Sequence, residues 1–210
     1  EDIRYAGEFN FVGKVIDGYK TSRAIMTKEL AEALSNVQRQ VKNDGYSLVI
    51  YDSYRPQKAV QHFVRWALDN SQTMKELLYP HINKSKSFEL GYISDKSAHC
   101  RGSTVDLTII HHSSYLKPHH KIVRIKRTLD NGKEITFLDD GTVDMGSNFD
   151  LFDEASWHKN PFISGQYLKN RQYLRDAMIR NGFEDYSKEW WHYRLINEPF
   201  PSTNFDFDII

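Results

Sequence analysis

Four residues have the types and spacing to do chemistry together: His99, Asp106, Glu189 and His192. An imidazole and a carboxylate can share a zinc ion, with ligand distances of roughly 2.0 to 2.2 Å. His99 and Asp106 belong to the segment Ser97-Ala98-His99-Cys100-Arg101-Gly102-Ser103-Thr104-Val105-Asp106-Leu107-Thr108-Ile109 and stand seven positions apart. An unbroken strand would send them to opposite faces, but Gly102 beside Ser103 supplies a bend, because glycine takes backbone angles that other residues avoid. A lone His/Asp pair is more often a polar strand end than a metal site. What shifts the reading is Glu189-Trp190-Trp191-His192-Tyr193, which offers a third ligand and a spare carboxylate. Glu189 and His192 are three apart, so serving one centre requires a bulge at Trp190-Trp191. Without a bulge, this is an aromatic core strand whose histidine is merely hydrogen-bonded.

Two further residues stand where a charge needs a reason. Arg55, in Asp52-Ser53-Tyr54-Arg55-Pro56, falls at a strand-to-helix junction, where a fixed guanidinium either meets an anion or staples the turn through a salt bridge. Asp150 lies in Phe149-Asp150-Leu151-Phe152, and a carboxylate among aromatics needs a partner: a protein cation, a helix cap or a ligand's ammonium group.

Composition bounds what these residues can serve. The 210 residues carry 28 Lys+Arg against 28 Asp+Glu, so no single-sign field points to nucleic acid or an anionic membrane, and a small zwitterionic partner fits better. A single cysteine, Cys100, excludes an internal disulfide and a multi-cysteine metal site. No apolar run reaches the roughly 20 residues of a membrane span. The chain starts at Glu1 without a Met, so upstream residues are expected, either an export signal or a trimmed disordered segment. The compartment, periplasmic or cytoplasmic, stays open, as does the oligomeric state.

The positioning elements follow from periodicity. Residues 3–13 mix aromatics with glycines and read as an extended arm laid over the domain. Thr27 caps a helix with an apolar stripe at Leu30, Leu34, Val37 and Val41, stopped by Gly45. Residues 46–51 form a strand, and Pro56 opens a second helix that buries Ala59, Val60, Phe63, Val64 and Ala67. Residues 71–95 read as loop with one short helix. Thr104 to Ile109 alternates as a half-buried strand. Residues 111–143 form a surface insertion with a hairpin turning at Asn131-Gly132, and its His111, His112, His119 and His120 read as solvated side chains. A helix capped by Ser164 runs through Tyr167, Leu168, Arg171, Leu174, Ala177 and Met178 to Gly182, residues 183–186 lead into the final strand, and Pro199 and Pro201 mark an irregular tail.

The ordered motifs carry a resemblance. Arg4-Tyr5-Ala6 with Asn10-Phe11 and Gly13-Lys14, Gly18-Tyr19, Tyr54-Arg55-Pro56, Ser97-x-His99-x-x-Gly102-x-x-x-Asp106, Met145-Gly146-Ser147 with Phe149-Asp150, Glu189-Trp190-Trp191-His192-Tyr193, Glu198-Pro199 and Phe205-Asp206-Phe207 span almost the whole chain. Together they resemble the D-alanyl-D-alanine dipeptidases of the VanX type. Two features depart from that pattern: Thr104 stands where a small alanine is usual, and the insertion is longer. The resemblance implies an α+β fold in a single compact domain over residues 1–210, with a central, mostly antiparallel sheet flanked by helices, of the hedgehog and D,D-peptidase kind. It implies one Zn2+ held by His99, Asp106 and His192, Glu189 as catalytic base and Arg55 facing the developing oxyanion. It also implies that Asp150, Tyr5 and Ser97 hold the free ammonium group of a small D,D-dipeptide. Two other functions share the metal motif: a D,D-carboxypeptidase acting on peptidoglycan stem peptides, and a non-catalytic zinc-stabilised binding module.

Overall fold

The computed structural model describes residues 1–210. Its first long helix, α1 (Lys28–Asn43), begins at Thr27, whose hydroxyl accepts from the Leu30 amide at 3.3 Å, and buries Leu30, Leu34, Val37 and Val41. Strand β1 (Tyr46–Asp52) returns under it, and α2 (Gln57–Leu68) leaves after Pro56, which serves as N-cap residue. The buried face of α2 contains Trp66 rather than Val64, which is only half-buried. A short helix, α3 (Lys75–Leu78), interrupts the following loop. The remaining elements are β2 (Thr104–His111), β3 (Val123–Thr128), β4 (Glu134–Asp139), α4 (Gly165–Arg180), β5 (Phe183–Tyr186) and β6 (Glu189–Leu195).

The sheet order is β1-β2-β6-β5, antiparallel throughout, while β3 and β4 form a separate hairpin. Helices α1 and α4 pack against β1 and β5. The result is an α+β fold with a central antiparallel sheet flanked by helices. One apolar cluster runs from Ile3 to Ile209, and no helix is long and apolar enough to cross a membrane.

Four expectations from periodicity are corrected by packing. Strand β2 is not half-buried: every residue from Thr104 to Ile110 is buried. It lies between two other strands, and Phe149 covers the sheet by packing on Tyr51 of β1 and Trp191 of β6. The N-terminal arm does not lie over the domain but enters it. Tyr5 and Phe11 are each 1% exposed and meet Phe63 of α2, because aromatic rings of this size bury too much apolar surface to stay outside. Ser164 makes no cap bond to α4, and Leu168 is exposed; the buried face is Arg171, Leu174, Ala177 and Met178. The hairpin is more than a surface excursion. Its β3 is exposed, but Ile135 of β4 packs with Leu151, Ala155 and Ile163, and Asn148 bonds both the Leu138 amide and the Thr136 carbonyl at 2.6 Å. The insertion therefore braces, from behind, the loop that carries Asp150. Of its histidines, His112 meets the Tyr46 carbonyl and His119 meets Asp2.

Candidate active site

The bend that His99 and Asp106 require is present. Ser97 opens a 3-10 turn, Ala98–Arg101, with its hydroxyl accepting from the His99 amide at 3.3 Å, and Gly102 ends that turn in the left-handed region at φ 74°. Strand β2 starts two residues later, so a turn residue and a strand residue face one point: His99 Nε2 lies 3.3 Å from Asp106 Oδ2. The bulge in β6 is also present. Asp185 pairs with Tyr193 but Tyr186 pairs with Glu189, so Trp190, Trp191 and His192 have no partner on β5. On its other edge β6 stays regular, and His192 sits directly opposite Asp106. Thr104, opposite Arg194, leaves that register undisturbed; its own hydroxyl is buried without a partner.

The ligand atoms of His99, Asp106 and His192 all lie within 4.8 Å of one another. His99 Nδ1 donates to the Ser53 carbonyl at 2.7 Å, which turns the Nε2 lone pair to the centre. His99 Nε2 and His192 Nδ1 are 3.3 Å apart. Asp106 Oδ1 lies 3.1 Å from His192 Nδ1 but out of hydrogen-bonding alignment, and it has no donor although fully buried. Burial lowers the proton affinity of His192 against the pull of Asp106, which favours the neutral imidazole that binds metal. Burial alone would raise Asp106, yet the two histidines hold it below the ordinary carboxylate range. Two ring nitrogens and an orphaned carboxylate oxygen converging in this way fit a divalent cation of the zinc type.

Glu189 stands beside this set, its Oε2 3.5 Å from His192 Nδ1. Burial, with the charges of Asp106 and Asp150, raises its carboxyl well above the usual range. Arg55 fulfils the stapling role, since its Nε donates to Asp52 Oδ2 at 2.9 Å, and it also faces the centre, with a terminal nitrogen 3.4 Å from Asp106 Oδ2. Asp150 accepts from the Tyr5 hydroxyl at 2.9 Å and is pushed up to about 8 by burial and the nearby Asp106. It is the only non-glycine residue with positive φ, 58°. All eight of these residues, Ser97 included, line one cavity of about 300 Å³, the lower end of the range of roughly 300 to 1,000 Å³ for small-ligand sites.

The motif reading missed Asp52. It is 1% exposed and accepts from Tyr19 at 2.6 Å as well as from Arg55. The signal was its place three residues before Arg55 in the same turn. The cavity walls Tyr92, Ile93, Tyr186 and Trp191 were also missed, since nothing local distinguishes a wall aromatic from a core one.

A buried cation set with a separate carboxylate in one cavity is the constellation of a metal-assisted hydrolase. The family model described as D-ala-D-ala dipeptidase, of the M15 peptidases, matches residues 1–118 and 127–210. Among individual relatives, a D-alanyl-D-alanine dipeptidase of Enterococcus faecalis is 40% identical over 209 residues, covering 99% of this chain and 91% of its own length. One of Streptomyces coelicolor is 37% identical over 210 residues, again covering 99% and 91%. One of Escherichia coli is 28% identical over 194 residues, covering 92% and 77%. A crystal structure of the vancomycin resistance D,D-pentapeptidase VanY in complex with Zn(II) superposes with a TM-score of 0.41 at 12% identity, over 85% of this chain and 77% of that one, a likeness too distant to bear on function. The chain belongs to the D-Ala-D-Ala dipeptidase family of peptidases. The unmatched residues 119–126 fall in the hairpin insertion and include most of β3.

Proposed function

We propose that this protein is a zinc-dependent dipeptidase that hydrolyses free D-Ala-D-Ala to two D-alanines, and that residues 1–210 act as a single catalytic domain. The observation that carries the reading is the convergence of His99, Asp106 and His192, with Glu189 outside the set, on the cavity that also holds Asp150. His99, Asp106 and His192 would hold the ion. Zinc in such a three-ligand site lowers the pKa of water to about 7 and polarises a carbonyl. Glu189, whose surroundings raise its proton affinity, takes a proton from the attacking water at its carboxylate and returns it to the leaving nitrogen. Arg55, locked by Asp52, presents fixed positive charge to the oxygen on which negative charge develops.

The ends of the substrate are sorted by Asp150. In the free protein its carboxylate is buried with only Tyr5 bonded to it. A free ammonium group favours the ionised carboxylate and releases the proton that burial otherwise holds on Asp150, and Ser97 Oγ, with one lone pair already engaged by the His99 amide, offers a second acceptor. An acylated nitrogen brings no cation and leaves Asp150 unpaired, so longer peptides are poor substrates.

The test is D-alanine release by chelator-treated and zinc-restored protein, from D-Ala-D-Ala and from its N-acetyl derivative. Zinc-dependent release from the free dipeptide, with little from the acetylated one, is expected. Preference for the acetylated compound would assign the protein to D,D-carboxypeptidases, and no release from either would leave a zinc-stabilised binding module.

A further inference from the structure

Arg171, in the second turn of α4, is 1% exposed and has no carboxylate bonded to it. Burial drags its proton affinity down to about 9. A buried guanidinium is tolerated only where its donors are satisfied, and here every acceptor belongs to one loop. Nε donates to the Met145 carbonyl at 2.6 Å and a terminal nitrogen to the Trp157 carbonyl at 2.8 Å. The other terminal nitrogen donates to Ser147 Oγ at 3.1 Å and to the Ala155 carbonyl at 2.7 Å. Two acceptors precede Asp150 and two follow it, so one side chain closes the loop at both ends while Asp150, in a left-handed conformation few residues accept, sits between them. Ser147 Oγ also accepts from Trp190 Nε1 at 3.1 Å, and Trp190 lies next to Glu189 in the β6 bulge.

We propose that Arg171 is a positioning residue for catalysis: without touching substrate, it holds the ammonium anchor Asp150 in register with the bulge that carries Glu189 and His192. The inference rests on the dipeptidase reading above. Its geometric basis is that Arg171 reaches both halves of the 145–157 loop from a separate element, α4, and through Ser147 strand β6, whereas Ser156, whose hydroxyl meets Ser147 Oγ and the Leu151 carbonyl, ties the halves only from within the loop.

The test measures KM and kcat for D-Ala-D-Ala in zinc-loaded Arg171→Lys and Ser147→Ala. KM does not depend on how much of a preparation is folded, so a merely structural role would lower apparent kcat and leave KM alone. Displacing a binding group by about an ångström costs on the order of 100-fold. A rise in KM of roughly 10- to 100-fold is therefore expected for Arg171→Lys, and a smaller rise for Ser147→Ala, which keeps the three carbonyl bonds. Unchanged KM in either folded variant overturns the inference. If Arg171→Lys does not fold, Ser147→Ala alone decides it. A parent protein inactive on D-Ala-D-Ala would refute the dipeptidase reading and this inference with it, whereas an active parent with unmoved KM in the variants refutes this inference only.

Discussion

Replacing Asp150 by asparagine separates selectivity from chemistry. The carboxylate is 6% exposed and is bonded only to Tyr5, so a substrate ammonium would complete a buried pair. Breaking such a pair by removing one partner costs about 3 to 5 kcal/mol, and about 1.36 kcal/mol is a factor of ten in rate. Asp150→Asn should therefore lower kcat/KM for D-Ala-D-Ala by roughly two to nearly four orders of magnitude. The N-acetyl dipeptide, which brings no cation, should be hydrolysed no worse than by the parent. Stability should move the other way. In the zinc-free protein the folded state keeps the Asp150 proton up to about pH 8, whereas the unfolded chain loses it near 3.8. Between those values the unfolded state binds fewer protons, so the parent loses stability as pH rises through the window. The asparagine variant lacks that loss, and its advantage in urea unfolding should grow from the acidic to the basic end. Equal losses on both dipeptides, or parallel stability profiles, would refute the assignment of Asp150 as a buried, uncompensated anchor.

Glu189→Gln should retain zinc and still bind D-Ala-D-Ala while turnover falls by roughly 10²- to 10⁴-fold, the range for a lost general base; near-normal kcat in the zinc-loaded variant would remove Glu189 from the mechanism. His192→Ala leaves two protein ligands, so zinc per chain after dialysis should drop well below one, as read by elemental analysis; undiminished zinc would place the ion elsewhere. Gly146→Ala should destabilise by more than about 1 kcal/mol in urea unfolding. Its φ is +86°, and a Cβ there would stand 2.9 Å from Ile163 Cγ2 and 3.0 Å from Tyr167 Cβ. An unchanged unfolding midpoint would show that the loop yields freely.

The local elements were legible because each is written in a short window. The stripe Leu30, Leu34, Val37 and Val41 specifies α1, Asn131-Gly132 turns the hairpin, and Gly102 permits the turn after His99. The need for a bulge at Trp190-Trp191 was also legible, since three positions on a regular strand cannot aim two side chains at one point. Less was readable where long-range neighbours decide. Alternation in Thr104 to Ile109 suggested one wet face, but a central strand covered by Phe149 has none. An arginine in a helix ordinarily reaches solvent, and no pattern within α4 marks Arg171 as the clasp of a loop 14 to 26 residues upstream.

Residue type and local spacing marked the candidate groups: two imidazoles, a carboxylate beside them and a second acid, with no cysteine set to compete. Only the tertiary structure decided that they share one cavity, that Asp52 fixes Arg55, and that Asp150 is buried with a single hydroxyl for company. Ligand identity is a property of individual side chains, whereas convergence, desolvation and the resulting proton affinities arise from packing segments far apart in the chain, such as those of Tyr5 and Asp150, 145 positions from each other.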